Sequence, residues 1–251
     1  MSGLSTAVFQ QAARREAKPG RTDWTCDALL RELRALGEQR NIDGMARFGI
    51  VAKHVLGVSK PKMDTLAKRV RRNHDLALEL WQSGVHDARI LAGMIDHPSE
   101  VTAGQMEHWV RDFDNWDICD GTCCHLFVFA VPAWEKAILW TKRKAEFEKR
   151  AGFALLAYLA YRDKTAPDSR FVAVMPLLVR EATDDRNFVR KAINWALRNI
   201  GKRNRRLNAV AIRTAEKMRK IDSRSARWIA ADALRELRSE AVQARLRKKE
   251  T

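Results

Sequence analysis

From Leu29 onward the apolar residues return at helical spacing and almost nowhere alternate as strands require. Leu29, Leu33 and Leu36 mark one helix; Leu66 with Val70, and Leu76 with Leu80, mark the next two. Ile90 and Met94 follow, then Met106 and Val110. Longer patterns run from Phe147 to Tyr161, Phe171 to Val179, Phe188 to Ile200, Ala209 to Met218 and Trp228 to Leu237. The punctuation between them is short: Ser59-Lys60-Pro61, Asp96-His97-Pro98, Ala166-Pro167-Asp168 and Asp222-Ser223. The pattern predicts an all-α protein of about a dozen helices. Only 12 glycines and 6 prolines are available, too few for a many-stranded sandwich or barrel. No apolar run approaches the roughly 18 residues of a membrane helix.

A faint repeat refines the architecture. Phe153-Ala154-Leu155, Trp195-Ala196-Leu197 and Asp232-Ala233-Leu234 recur at the period of stacked helix pairs. Each falls in the second helix of a pair. The expectation is a curved solenoid of HEAT-like helix pairs, in which each unit buries its apolar face against its neighbours. Residues 1–22 read as a loose basic arm, 23–240 as one domain and 241–251 as a basic tail.

Charge is divided unevenly. The net charge is +16, yet residues 1–140 sum to zero, so 141–251 carry all of it. Within the neutral part, 91–140 sum to −6. A basic half beside an acidic patch suits a polyanion-binding surface with carboxylate chemistry next to it; a merely solvated basic surface is the alternative. Four cysteines, two of them adjacent, make no disulfide framework and fit a reducing, intracellular setting.

Three segments could carry chemistry. In Asp112-Phe113-Asp114-Asn115-Trp116-Asp117-Ile118-Cys119-Asp120, Asp114 and Asp117 resemble a helix N-cap and its acidic first turn. Asp120 lies beyond that turn, on the face of Trp116, where the chain enters a stretch (121–130) without charge. A carboxylate there is either a structural group bonded inside the core or one with a task. Arg150 is the last charge before eleven uncharged residues, and suits an ion pair at the core rim, a phosphate contact or the orientation of a carboxylate. In the helix from Phe188, the residues Lys191, Trp195, Arg198 and Lys202 share one stripe. A tryptophan among cations fits phosphate contact with stacking, or packing on the adjoining pair. The following loop adds Arg203, Arg205 and Arg206 as a phosphate clamp. Cys119, Cys123, Cys124 and His125 make a poor zinc site, so no metal and no cofactor is expected. The remaining histidines, His86 among them, carry no argument.

Together these residues resemble the AlkD-type alkylpurine DNA glycosylases, the DNA alkylation repair family of HEAT-like repeats. The likeness runs from about Thr25 to Leu237 and is most specific at Trp116-Asp117-Ile118-Cys119-Asp120. It implies that Trp116 and Asp120 flank the lesion's deoxyribose and that Arg150 lies near the lesion-strand backbone. It implies that Trp195, within Lys191-Ala192-Ile193-Asn194-Trp195-Ala196-Leu197-Arg198, is the second tryptophan of the site. Phe48 stands where the family often has a tyrosine near the lesion. The implied activity is hydrolysis of the N-glycosidic bond of cationic 3- or 7-alkylated purines in double-stranded DNA, by a monomer, without deep base flipping. Some family members bind branched DNA and do not excise; that reading, and a helical protein–protein scaffold, are the alternatives.

Overall fold

The structure is a computed structural model that describes residues 24–248. Those residues hold fourteen helices and no strand. The first six are α1 (Cys26–Leu36), α2 (Gln39–Arg47), α3 (Lys60–Val70), α4 (His74–Gln82), α5 (His86–Ile95) and α6 (Ala103–Arg111). Then come α7 (Trp116–His125), α8 (Ala133–Trp140), α9 (Glu146–Arg162), α10 (Asp168–Glu181), α11 (Asn187–Gly201), α12 (Arg205–Arg219), α13 (Arg224–Leu237) and α14 (Glu240–Arg247). The expected arm over residues 1–22 lies outside the described residues.

The helices stack as pairs, α8 with α9, α10 with α11 and α12 with α13. The second helices form one layer: α7 packs on α9, α9 on α11 and α11 on α13. The three Ala-Leu motifs fall on α9, α11 and α13, so the faint repeat marks that layer. Each of these helices buries a wide apolar face; on α11 it comprises Val189, Ile193, Ala196, Leu197 and Ile200. Under the first half lies an aromatic slab. Trp81 and Trp109 stack with centroids 3.9 Å apart, and Phe113, Phe127 and Trp140 continue it.

Helix α9 is buried for most of its length. Gly152 lets it sit against α8, because a Cβ there would come within 2.5 Å of the Thr141 nitrogen. Close seating of α9 matters because its first turns carry Arg150.

Two expectations need correction. The cap of α7 is Asn115, whose Oδ1 accepts from the nitrogens of Asp117 (3.0 Å) and Ile118 (3.1 Å). Asp114 instead accepts from the Asn115 amide at 2.7 Å. Both residue types cap well, and here the amide wins because it can donate as well as accept. The tail expected over 241–251 begins as a helix, since Val242 and Leu246 bury themselves and hold α14 on α13. No helix among the described residues is long and apolar enough to cross a membrane.

Candidate active site on the inner helices

Helix α7 is fixed at its first turn. His86, 2% exposed, accepts from the Asn115 amide at Nδ1 (3.3 Å) and faces the Asp117 carboxylate with Nε2 (3.3 Å). Nothing local in the chain marks this histidine's role, which depends on a contact 29 residues away. Along the helix, the Cys119 and Cys123 thiols point at the Phe147 and Ala151 carbonyls of α9. The cysteines are thus small buried groups joining α7 to α9. Trp116, at the start of α7, donates its indole N–H to the Phe48 carbonyl at 3.0 Å. The adjacent Gly49 takes a φ of +76°, which favours glycine, and its Cα hydrogen faces the Phe188 ring. The Phe48 ring itself is 72% exposed.

Asp120 follows one turn after Trp116 and meets Arg150 with both oxygens. Arg150 Nε donates to Oδ1 at 2.9 Å and one terminal nitrogen to Oδ2 at 2.6 Å. The other terminal nitrogen donates to the Phe188 carbonyl at 2.7 Å. The pair is largely sheltered, with side-chain exposures of 9% for Arg150 and 17% for Asp120. Burial raises the Asp120 carboxyl above the ordinary carboxylate value, and the Arg150 guanidinium opposes that rise. Arg150 is held more firmly protonated by the same carboxylate, against the effect of its own burial. A carboxylate has about four lone-pair sites, so a two-pronged arginine leaves acceptor capacity on the exposed side.

That side opens into a cavity of about 410 Å³. Trp116 and Asp120 of α7, Arg150 of α9 and Lys191, Asn194, Trp195 and Arg198 of α11 line it, with Trp228 and Asp232 of α13. Trp195 stands edge-on to Tyr158 at 4.8 Å, an 82° contact that turns its indole toward the cavity wall. Burial drives the Tyr158 phenol far up, so it stays neutral.

The cations expected to contact DNA separate into two groups. Lys191 is exposed and has no ion-pair partner among the described residues; Arg205 and Arg206 are exposed at the start of α12. Arg198, Lys202 and Arg203 have partners that define their roles. Arg198 pairs with Asp232 (3.4 Å) and Glu236, and Lys202 with Glu236 (2.6 Å). Arg203 differs most from a free phosphate clamp. It donates to the Ala160 carbonyl (3.1 Å) and the Ala166 carbonyl (2.8 Å) and lies over the Phe171 ring. Its role is to tie the end of α9 to the following loop. Arg150 likewise holds a carboxylate and a carbonyl. The sequence could not separate these cases, because the acidic partners sit 30 or more residues away.

Asn194, Trp228 and Asp232 were not anticipated as site residues. The signal was present: Trp228-Ile229-Ala230-Ala231-Asp232 repeats the tryptophan-to-aspartate spacing of Trp116 and Asp120.

A family model for DNA alkylation repair enzymes matches residues 29–237. One solved structure superposes with a TM-score of 0.73, covering 89% of this chain and 96% of its own, at 20% identity. That protein stands in a new family of proteins related to the HEAT-like repeat DNA glycosylases, with affinity for branched DNA structures. At that identity the likeness concerns the fold. Among curated proteins none matches by sequence.

Proposed function

The chain belongs to the DNA alkylation repair family, and from that premise we propose that it is a glycosylase acting on cationic 3- or 7-alkylated purines in double-stranded DNA. The observation that carries this reading is Asp120, gripped through both oxygens by Arg150 at the wall of a cavity that Trp116 and Trp195 also line. A purine alkylated at ring position 3 or 7 is positively charged and leaves readily, so no general acid is required. The C1′–N9 bond breaks with its electron pair going to the purine, which becomes neutral. Positive charge then develops on the sugar. The Asp120 carboxylate is fixed before the reaction starts and stabilises that charge without reorganising. The indole faces of Trp116 and Trp195 add cation–π attraction. A water aligned by Asp120 adds to C1′, and its proton passes to solvent. The cavity is open, which suits a lesion approached without deep insertion of its base. Exposed Lys191, Arg205 and Arg206 contact phosphates of the duplex, and the protein works as a monomer.

The deciding experiment is base release from methylated duplex by the wild type and by Asp120→Asn, with melting temperature followed in parallel. Excision of 7-methylguanine or 3-methyladenine should fall by ~10²-fold or more, the scale of a lost electrostatic transition-state contact. Affinity for an uncharged abasic analogue should hardly change. An Asp120→Asn protein with full activity would eliminate the mechanism.

A second reading is a binder of branched DNA that does not excise. The affinity of the related solved protein favours it. Tight binding by wild type with no base released from any methylated substrate would select it. A salt series of duplex titrations sets both apart from a protein–protein scaffold, which should show little affinity.

A further inference from the structure

The cavity is built twice over. On one flank α7 presents Trp116 and, one turn later, Asp120, which an arginine of the neighbouring helix α9 holds. On the other flank α13 presents Trp228 and, one turn later, Asp232, which Arg198 and Asn194 of the neighbouring helix α11 hold. Helices α9 and α11 form the floor between the two flanks. The glycosylase reading uses the first tryptophan–aspartate pair and leaves the second without a task. We propose that Trp228 and Asp232 form a second subsite of this cavity, which recognises the positive charge of the alkylated purine ring while Trp116 and Asp120 face the sugar. The inference rests on the glycosylase reading for the identity of the cation.

The two groups that α13 itself presents to the cavity, Trp228 and Asp232, are electron-rich, while Lys191 and Arg198 of α11 bring positive charge to the lining beside them. Trp228 is 37% exposed and is held in place by Arg190, which lies 5.0 Å over its ring. Asp232 accepts from the Asn194 amide at 2.6 Å and pairs with Arg235 as well as Arg198. Asn194 is 2% exposed, yet its Oδ1 accepts no hydrogen bond among the described residues. A carboxylate and an indole on one wall favour a cation that also carries N–H donors. A purinium ring with its exocyclic amino group has that chemistry. The wall is open, so the ring can lean on it without entering an enclosed pocket.

Ground-state recognition and transition-state stabilisation separate kinetically. The α13 pair contacts a charge already present on the bound substrate, so its loss raises KM. The α7 pair faces a charge that appears only as the bond breaks, so its loss lowers kcat.

The test compares two duplexes of nearly equal shape. One carries non-cleavable 2′-fluoro-7-methylguanine, which is cationic; the other carries 7-methyl-7-deazaguanine, which is neutral. Wild type should bind the cationic duplex tighter by ~10-fold, within the range of one desolvated cation–π contact with a carboxylate beside it. Asp232→Asn and Trp228→Ala should bring that ratio near one, leaving affinity for the neutral duplex no lower and the protein folded at the assay temperature. Trp228→Phe should retain most of the ratio. In excision assays Asp232→Asn should raise KM with kcat little altered. A wild-type ratio near one, or a ratio that survives in both variants, would overturn the subsite. Loss of neutral-duplex affinity in parallel with the cationic would reduce the pair to a structural role and overturn it too. The binding ratio needs no excision, so failure of the subsite and failure of the glycosylase reading are seen separately.

Discussion

Asp120 lies just past the first turn of α7, where the dipole helps little, and its ionisation rests mainly on Arg150, with a smaller contribution from the Cys119 thiol, against the cost of burial and the nearby Asp117 charge. Burial dominates, so the carboxyl sits above its ordinary value of 3.8. The sign of the pH effect follows. The charged form is the one that serves a sugar cation, and a raised value means that it is lost sooner on acidification. Excision above the spontaneous rate should therefore decline as pH falls, with a midpoint above 3.8, and Asp120→Asn should lack that acid limb. For stability the direction is opposite: a carboxyl raised in the folded state favours folding more as pH drops toward it. An acid loss of activity that merely tracks unfolding would therefore contradict the assignment, and melting curves at each pH distinguish the two. At this scale the sequence was informative where chemistry is local. Trp116 and Asp120 share a face through helical spacing. The three roles open to Arg150 were resolved only by folding, which brought its guanidinium across 30 residues to the carboxylate.

The placement of Asp120 depends on α7 as an element, and α7 depends on Asn115. Its side chain caps two backbone nitrogens and also donates to His86 and Asp114, joining the helix start to α5. Asn115→Ala should cost ~1 kcal/mol or somewhat more, as for other lost caps. In a chain of this size that is a fall of ~2–4 °C in Tm. Excision should fall as well, since Trp116 and Asp120 ride on the same helix. Asp114→Asn should do neither, because Asp114 is not the cap. Equal effects of the two substitutions would return the cap to Asp114. The helices themselves were legible because a period near 3.6 needs no tertiary context, and the Ala-Leu motifs located the layer of second helices. The cap was not, because Asp114 and Asn115 are adjacent and both residue types suit the position. Trp228 escaped for a different reason: Asp232 had been absorbed into the packing repeat, which hid its spacing from the tryptophan.

At the scale of the whole molecule, charge and architecture must be combined before DNA binding can be argued. The sequence places all of the +16 in residues 141–251, but it does not say which cations are available to a phosphate. Folding divides them. Arg150, Arg198 and Lys202 are matched by Asp120, Asp232 and Glu236, and Arg203 serves backbone carbonyls. Lys191 stands exposed at the cavity mouth, and Arg206 stands exposed at the head of α12. Duplex affinity should accordingly fall with salt along a log–log slope of several units, about 0.9 for each phosphate contacted. Lys191→Ala and Arg206→Ala should each flatten the slope by about one contact. Arg203→Ala should leave the slope unchanged while lowering the melting temperature, because it frees two carbonyls and an aromatic face rather than a phosphate. Arg150→Ala should also leave the slope nearly intact, since the guanidinium and the Asp120 carboxylate leave the phosphate count together. A slope that drops by a full contact for Arg150 or Arg203 and not for Lys191 would mean that the paired cations open toward DNA on binding, and the division into engaged and available charge would have to be reversed.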